Sequence, residues 1–112
     1  MSDDCDNTST LTATLTLEDS TGPDLSNCNV VNTAIECTAN DNETIADAWD
    51  AANIVELETC GTDACDSDAT FTVTSDYDFS NLDTSNACGA GGSLAVTYTV
   101  ADDCGNEATI TV

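Results

Sequence analysis

The chain has 112 residues, a hydrophobic fraction of 40% and a formal charge of −22, because 22 Asp and Glu residues face no Lys, Arg or His. So many like charges exclude nucleic acid and anionic membrane surfaces as partners, and the length allows a single domain with one modest core. Without His, Lys or Arg there is no ordinary general base near neutrality and no cationic oxyanion stabiliser, so the composition predicts a protein that is not an enzyme.

In chain order, Thr10–Leu17 alternates threonine with apolar residues, as a half-buried strand does. Turn residues at Thr21-Gly22-Pro23-Asp24 follow, then a less regular strand over Val30–Cys37. Thr44–Asn53 breaks the rhythm and predicts a short connecting helix, with Thr44 as N-cap and Ile45, Trp49 and Ala52 on one face. Alternation returns at Thr70–Thr74, Val96–Val100 and Thr109–Val112, separated by glycine-rich turns. No segment is apolar enough to span a bilayer. Met1-Ser2-Asp3-Asp4 is not a signal peptide, so an export signal is expected outside this sequence.

Asp3–Thr12 aligns with Asp102–Thr111, ninety-nine residues later, sharing Asp-Asp-Cys, Asn and two Thr at equivalent positions. The ends are two copies of one element, the mark of a tandem array. Cys5 is then equivalent to Cys104, leaving Cys28, Cys37, Cys60, Cys65, Cys88 and Cys104 as the six cysteines of one period. An even set at this density predicts a disulfide framework and an oxidising, extracellular compartment. Cys88 and Cys104 flank a strand that separates its ends by about 20 Å, too far for a bridge. The same objection applies to Cys28 with Cys37 unless the chain bends between them. Cys65 and Cys104 meet at one end of an antiparallel pair, so Cys65–Cys104 is the expected bridge, with Cys60 as a competitor.

Asp19-Ser20-Thr21-Gly22-Pro23, Asn27-Cys28, Glu36-Cys37, Asp63-Ala64-Cys65, Cys88-Gly89 and Asp102-Asp103-Cys104-Gly105-Asn106 together resemble the hyalin-repeat (HYR-like) family. Gly22 stands where that family usually has a proline, and Cys60 is an addition. The resemblance implies an all-β, disulfide-bonded, immunoglobulin-like β-sandwich with one short connecting helix. It also implies a secreted or cell-surface location and an adhesive role in a tandem or polymeric array. On that layout residues 1–18 are the last strand of a preceding repeat, or a strand given to a neighbouring subunit. Residues 19–112 form the repeat itself, cut within its last strand. Ser9–Glu18 is therefore expected to pack against a unit other than the one formed by residues 24–106, with a continuous chain favoured over strand donation.

Calcium prefers several hard oxygen ligands, which suits acidic loops. In the implied sandwich the linker Glu18–Asp24 sits beside the turn Asp102–Asn106, so Glu18, Asp19, Asp24, Asp102, Asp103 and Glu107 are the expected calcium ligands at a repeat junction. Asn7 and Asn42 fit the N-glycosylation pattern. The expected partners are neighbouring identical or similar repeats. The alternative is a ligand-binding module for surface glycans or ice; against it, the Thr-x-Thr rows are scattered over separate strands.

Overall fold

A computed structural model describes residues 1–38, 40–65, 70–85 and 91–112. Its elements are helix α1 (Asn42–Cys60), strand β1 (Thr72–Ser75), a 3₁₀ turn (Phe79–Asn81), β2 (Thr97–Ala101) and β3 (Glu107–Thr111). The strands form one antiparallel sheet in the order β1-β2-β3.

The expected all-β immunoglobulin-like sandwich is not what forms. Among the described residues there is a single three-stranded sheet, and its second layer is a helix. Two of the expected strands account for the difference. Thr10–Leu17 runs extended with no ladder, and Val30–Cys37 makes no backbone–backbone hydrogen bond among the described residues. The helix is also longer than the expected Thr44–Asn53. Ile45, Trp49, Asn53 and Leu57 recur every four residues and Cys60 follows after three, so the stripe facing the sheet continues past Asn53. Gly61, in an extended conformation, ends it.

Leu57, Val96, Tyr98 and Val100 are fully buried, with Val30 closing the cluster. Trp49 meets Tyr98 edge to face at 6.5 Å between ring centroids. The Tyr98 hydroxyl donates to Asp50 Oδ1 at 2.8 Å and accepts from Asn53 Nδ2 at 3.2 Å, while Ser75 Oγ donates to the same Asp50 oxygen at 2.9 Å. That net joins α1 to β1 and β2. Burial, with the Asp50 carboxylate beside it, pushes the Tyr98 hydroxyl up to about 12. The bond between Cys28 and Cys60 ties the end of α1 to the segment ahead of Val30.

The other face of the sheet is threonine. Thr74, Thr99 and Thr109 stand abreast on the three strands, and Thr97 Oγ1 lies 2.9 Å from Thr111 Oγ1 in the next row. The rows expected to be scattered are in fact assembled on one surface, because β1, β2 and β3 all present Thr at the positions opposite their apolar residues.

The radius of gyration is 24.0 Å and the longest dimension 92 Å. A compact chain of this length would have a radius of about 13 Å. The excess is the N-terminal arm, in which Leu11, Leu15 and Leu17 are 95%, 86% and 90% exposed.

Candidate functional site

Where the arm joins the body, the linker lies against the β2–β3 turn. Asn106 Nδ2 donates to the Asp19 carbonyl at 3.0 Å, and a Cβ on Gly22 would collide with the Glu107 carbonyl, so only glycine allows the approach. The turn itself is built by Asp102. Its Oδ1 accepts from the N–H groups of Cys104 and Asn106, both at 2.9 Å, and its Oδ2 accepts from Asn106 Nδ2 at 3.2 Å. Gly105 supplies the positive φ that the reversal needs.

The carboxyl groups of Asp19 and Asp102 and the thiol of Cys104 converge within 4.8 Å, and Asp19 also meets Asp63 and Cys65 within 4.8 Å. Burial, then the charges of Asp102 and Asp63, raise the Asp19 carboxyl above its ordinary value. Burial works the same way on Asp102, but hydrogen bonds from Asn106 and Cys104 outweigh it and hold this carboxyl low. The two neighbouring carboxyls are thus pushed apart, Asp19 upward and Asp102 downward. Burial, then the same two carboxylates, push the Cys104 thiol up.

Of the six expected calcium ligands, the structure brings together Asp19 and Asp102 only. Asp24 is occupied by the N–H of Ser26 at 2.9 Å, and Asp103 accepts from Thr70 Oγ1 at 3.1 Å. Glu18 and Glu107 are exposed and join neither cluster. Asp63, which the sequence reading passed over, takes their place. Each of the two groups offers two carboxylates and one thiol, poorer in hard oxygen than calcium's six to eight ligands call for.

Cys65 and Cys104, expected to bridge, are exposed free thiols flanking Asp19 from two sides. Cys60, expected only as a competitor for that bridge, forms the bond to Cys28 instead. Cys5 and Cys37 are exposed free thiols, and Cys88 lies outside the described residues. Of the two glycosylation candidates, Asn7 is exposed, whereas Asn42 opens α1 and its side chain caps Thr38 through a 2.6 Å bond from the Thr38 N–H.

What the sequence reading missed is the use of the aspartates. Asp3, Asp24, Asp63, Asp78, Asp83 and Asp102 each accept a hydrogen bond from the N–H two residues on, the arrangement of an Asx turn. The visible signal was the spacing of Asp two residues before Cys or Ser, which occurs at all six.

A second feature lies at the far end of β3. A groove of about 470 Å³ opens between the unpaired segment at Ile35, the start of α1 at Ile45 and Trp49, and the sheet at Leu94 and Val112. Glu36 is the one charged residue in its lining. No helix among the described residues is long and apolar enough to cross a membrane. Comparisons with family models, with curated proteins and with solved structures found no match.

Proposed function

We propose that this chain is a structural unit of an extracellular tandem or polymeric array, in which the arm of one unit packs against another. The observation that carries the reading is the arm. It repeats the tip of the β2–β3 hairpin and the sequence of β3, yet it stands away from the body with three leucines in solvent. Each leucine forgoes about 1.5–3 kcal/mol of burial there, which association with a neighbour would recover. The cell-surface, adhesive setting rests on the HYR-like motifs and on cysteine density. Calcium enters the proposal only through the oxygens of Asp19, Asp63 and Asp102, as a stiffener of the arm's root.

Light scattering over a range of protein concentrations tests the reading. Species growing with concentration are expected, and a single monomeric mass at every concentration would end it. The threonine face supports a second reading, a hydroxyl-rich surface for glycan or ice with Glu107 as the charge on its β3 row. Binding of the isolated chain to a glycan array or to ice would favour it.

A further inference from the structure

We propose that Cys65 and Cys104 are a thiol pair that closes, on oxidation, into a covalent clasp across the linker at the arm's root.

The linker runs between two flanks of the body. On one side Asp24 and Thr62 exchange both backbone hydrogen bonds, at 2.8 and 3.1 Å, so the return of the chain after α1 is paired to it. On the other, Asn106 holds the Asp19 carbonyl and Gly22 lies against the Glu107 carbonyl, so the β2–β3 turn is packed on it. Each flank carries one cysteine close by, Cys65 three residues after Thr62 and Cys104 two before Asn106. Both are exposed free thiols. The Asp19 carboxyl lies within 4.8 Å of each sulfur, in two separate groups. One linker side chain therefore reaches both jaws.

The same small device presents the two thiols. Asp63 Oδ1 accepts from the Cys65 N–H and Asp102 Oδ1 from the Cys104 N–H, both at 2.9 Å, which sets each cysteine in an Asx turn. The sheet brings the turns to one end. Thr72 pairs with Ala101, and beyond that pair Thr70 Oγ1 donates to Asp103 Oδ1 at 3.1 Å, so the chain entering β1 and the chain leaving β2 stay side by side next to Cys104. Cys5 gives the contrast. It sits in a matching turn on the arm, yet among the described residues it joins no such group.

Closure balances as exchange with a small-molecule disulfide such as oxidised glutathione. One cysteine, as thiolate, attacks a sulfur of the oxidant and releases one glutathione thiolate. The other then attacks the mixed disulfide and releases the second. The oxidant's S–S bond breaks, the clasp's forms, two electrons pass to glutathione, and the two thiol protons end on the released glutathiones. Bonded sulfurs stand about 2 Å apart, so the two turns approach each other and the Asp19 carboxyl swings out from between them. The closed ring then runs from Cys65 through β1 and β2 to Cys104, and the linker is held against it. The clasp works within one chain, so it stands or falls apart from the array.

The test uses the full chain carrying Cys5→Ser, Cys37→Ser and Cys88→Ser, which keeps the bond between Cys28 and Cys60, and beside it the wild-type chain, which needs no replacements to fold. In dilute solution with oxidised glutathione, chains that have lost two hydrogens should outnumber chains carrying glutathione by about tenfold or more in mass spectra. The chain has no Lys or Arg, so proteolysis at Asp and Glu maps the bridge, and it should join the peptides of Cys65 and Cys104 in both proteins. Amide exchange at Asp24 and Thr62 should slow about tenfold on closure and recover on reduction. Cys104→Ser should abolish both effects. Glutathione on both cysteines without a bridge, or either of them bridged to another cysteine in the wild-type chain, would overturn the pair. A bridge that leaves exchange at Asp24 and Thr62 unchanged would overturn the clasp.

Discussion

Asp3 and Asp102 hold two turns with the same hydrogen bonds, ninety-nine residues apart. Asp3 Oδ1 accepts from the N–H groups of Cys5 and Asn7, both at 2.9 Å, and Oδ2 accepts from Asn7 Nδ2 at 3.1 Å, matching Asp102 with Cys104 and Asn106 bond for bond. Asp6 takes the positive φ of Gly105, and the Ser2–Thr8 bridge stands where Ala101 pairs with Glu107. One copy is set in the body. The other caps a free arm.

That difference separates the two residues in a mutational test. Asp102→Ala removes a buried acceptor of three hydrogen bonds and should lower the melting temperature of the body by several degrees. Asp3→Ala breaks the same bonds in the arm and should leave that temperature unchanged. Calorimetry on both variants checks the contrast, and equal losses would mean the arm is part of the cooperative unit.

Acid should act on the paired carboxyls in opposite senses. Asp102 has its carboxyl held below 3.8 in the fold, so its stabilisation is complete above 3.8 and disappears as pH falls through the lowered value. Asp3, Asp24, Asp78 and Asp83 are lowered as well, through their turn hydrogen bonds. Asp19 is raised, so its contribution is greatest below 3.8 and declines as pH rises through the raised value. Carboxyl NMR titration should find Asp19 protonating before Asp102 on acidification. Asp102→Asn should bring the Asp19 value down, and no change would dissolve the pair.

Reducing the bond between Cys28 and Cys60 opens a closure of 32 residues. Loop entropy puts the loss at about 3–4 kcal/mol, a large part of a stability of roughly 5–15 kcal/mol. Denaturant unfolding of a Cys28→Ser, Cys60→Ser double variant should show a loss of that order.

Leu57→Ala should cost about 2–5 kcal/mol, since the side chain is fully buried between helix and sheet. A smaller loss by chemical denaturation would mean that α1 can settle onto the sheet to close the cavity.

Millimolar calcium should raise the melting temperature of the full chain beyond what sodium chloride achieves, if oxygens of Asp19, Asp63 and Asp102 hold a cation. Equal rescue by the two salts would assign the effect to screening of the charge.

How far the fold was legible follows from which partners the residues needed. Thr70–Thr74, Val96–Val100 and Thr109–Val112 read as strands and became β1, β2 and β3, because their alternation matches one buried face. Thr10–Leu17 alternates as cleanly, but a strand is completed by its neighbour, and period alone does not say which unit provides it. The expected helix rested on the face of Ile45, Trp49 and Ala52 and ended at Asn53, whereas the packing of Leu57 beneath the sheet carries it on through β-branched Ile54 and Val55 to Cys60. At the junction, placing the linker beside the β2–β3 turn brought out Asp19 and Asp102. Asp63 was not legible, because the return of the chain after α1, through the bridge between Asp24 and Thr62, is a tertiary event.

The bond between Cys28 and Cys60 also sets the route by which tension would travel. A pull on the arm enters the body at Asp24, whose backbone is paired with Thr62, and reaches Cys28 four residues later. From there the force passes covalently to Cys60, bypassing the chain between the two cysteines. Val30 and nearly all of α1 therefore lie off the stretched path. With the bond intact that span cannot be drawn out, and the unit behaves under traction as a short, stiff link; once reduced, the same span becomes slack.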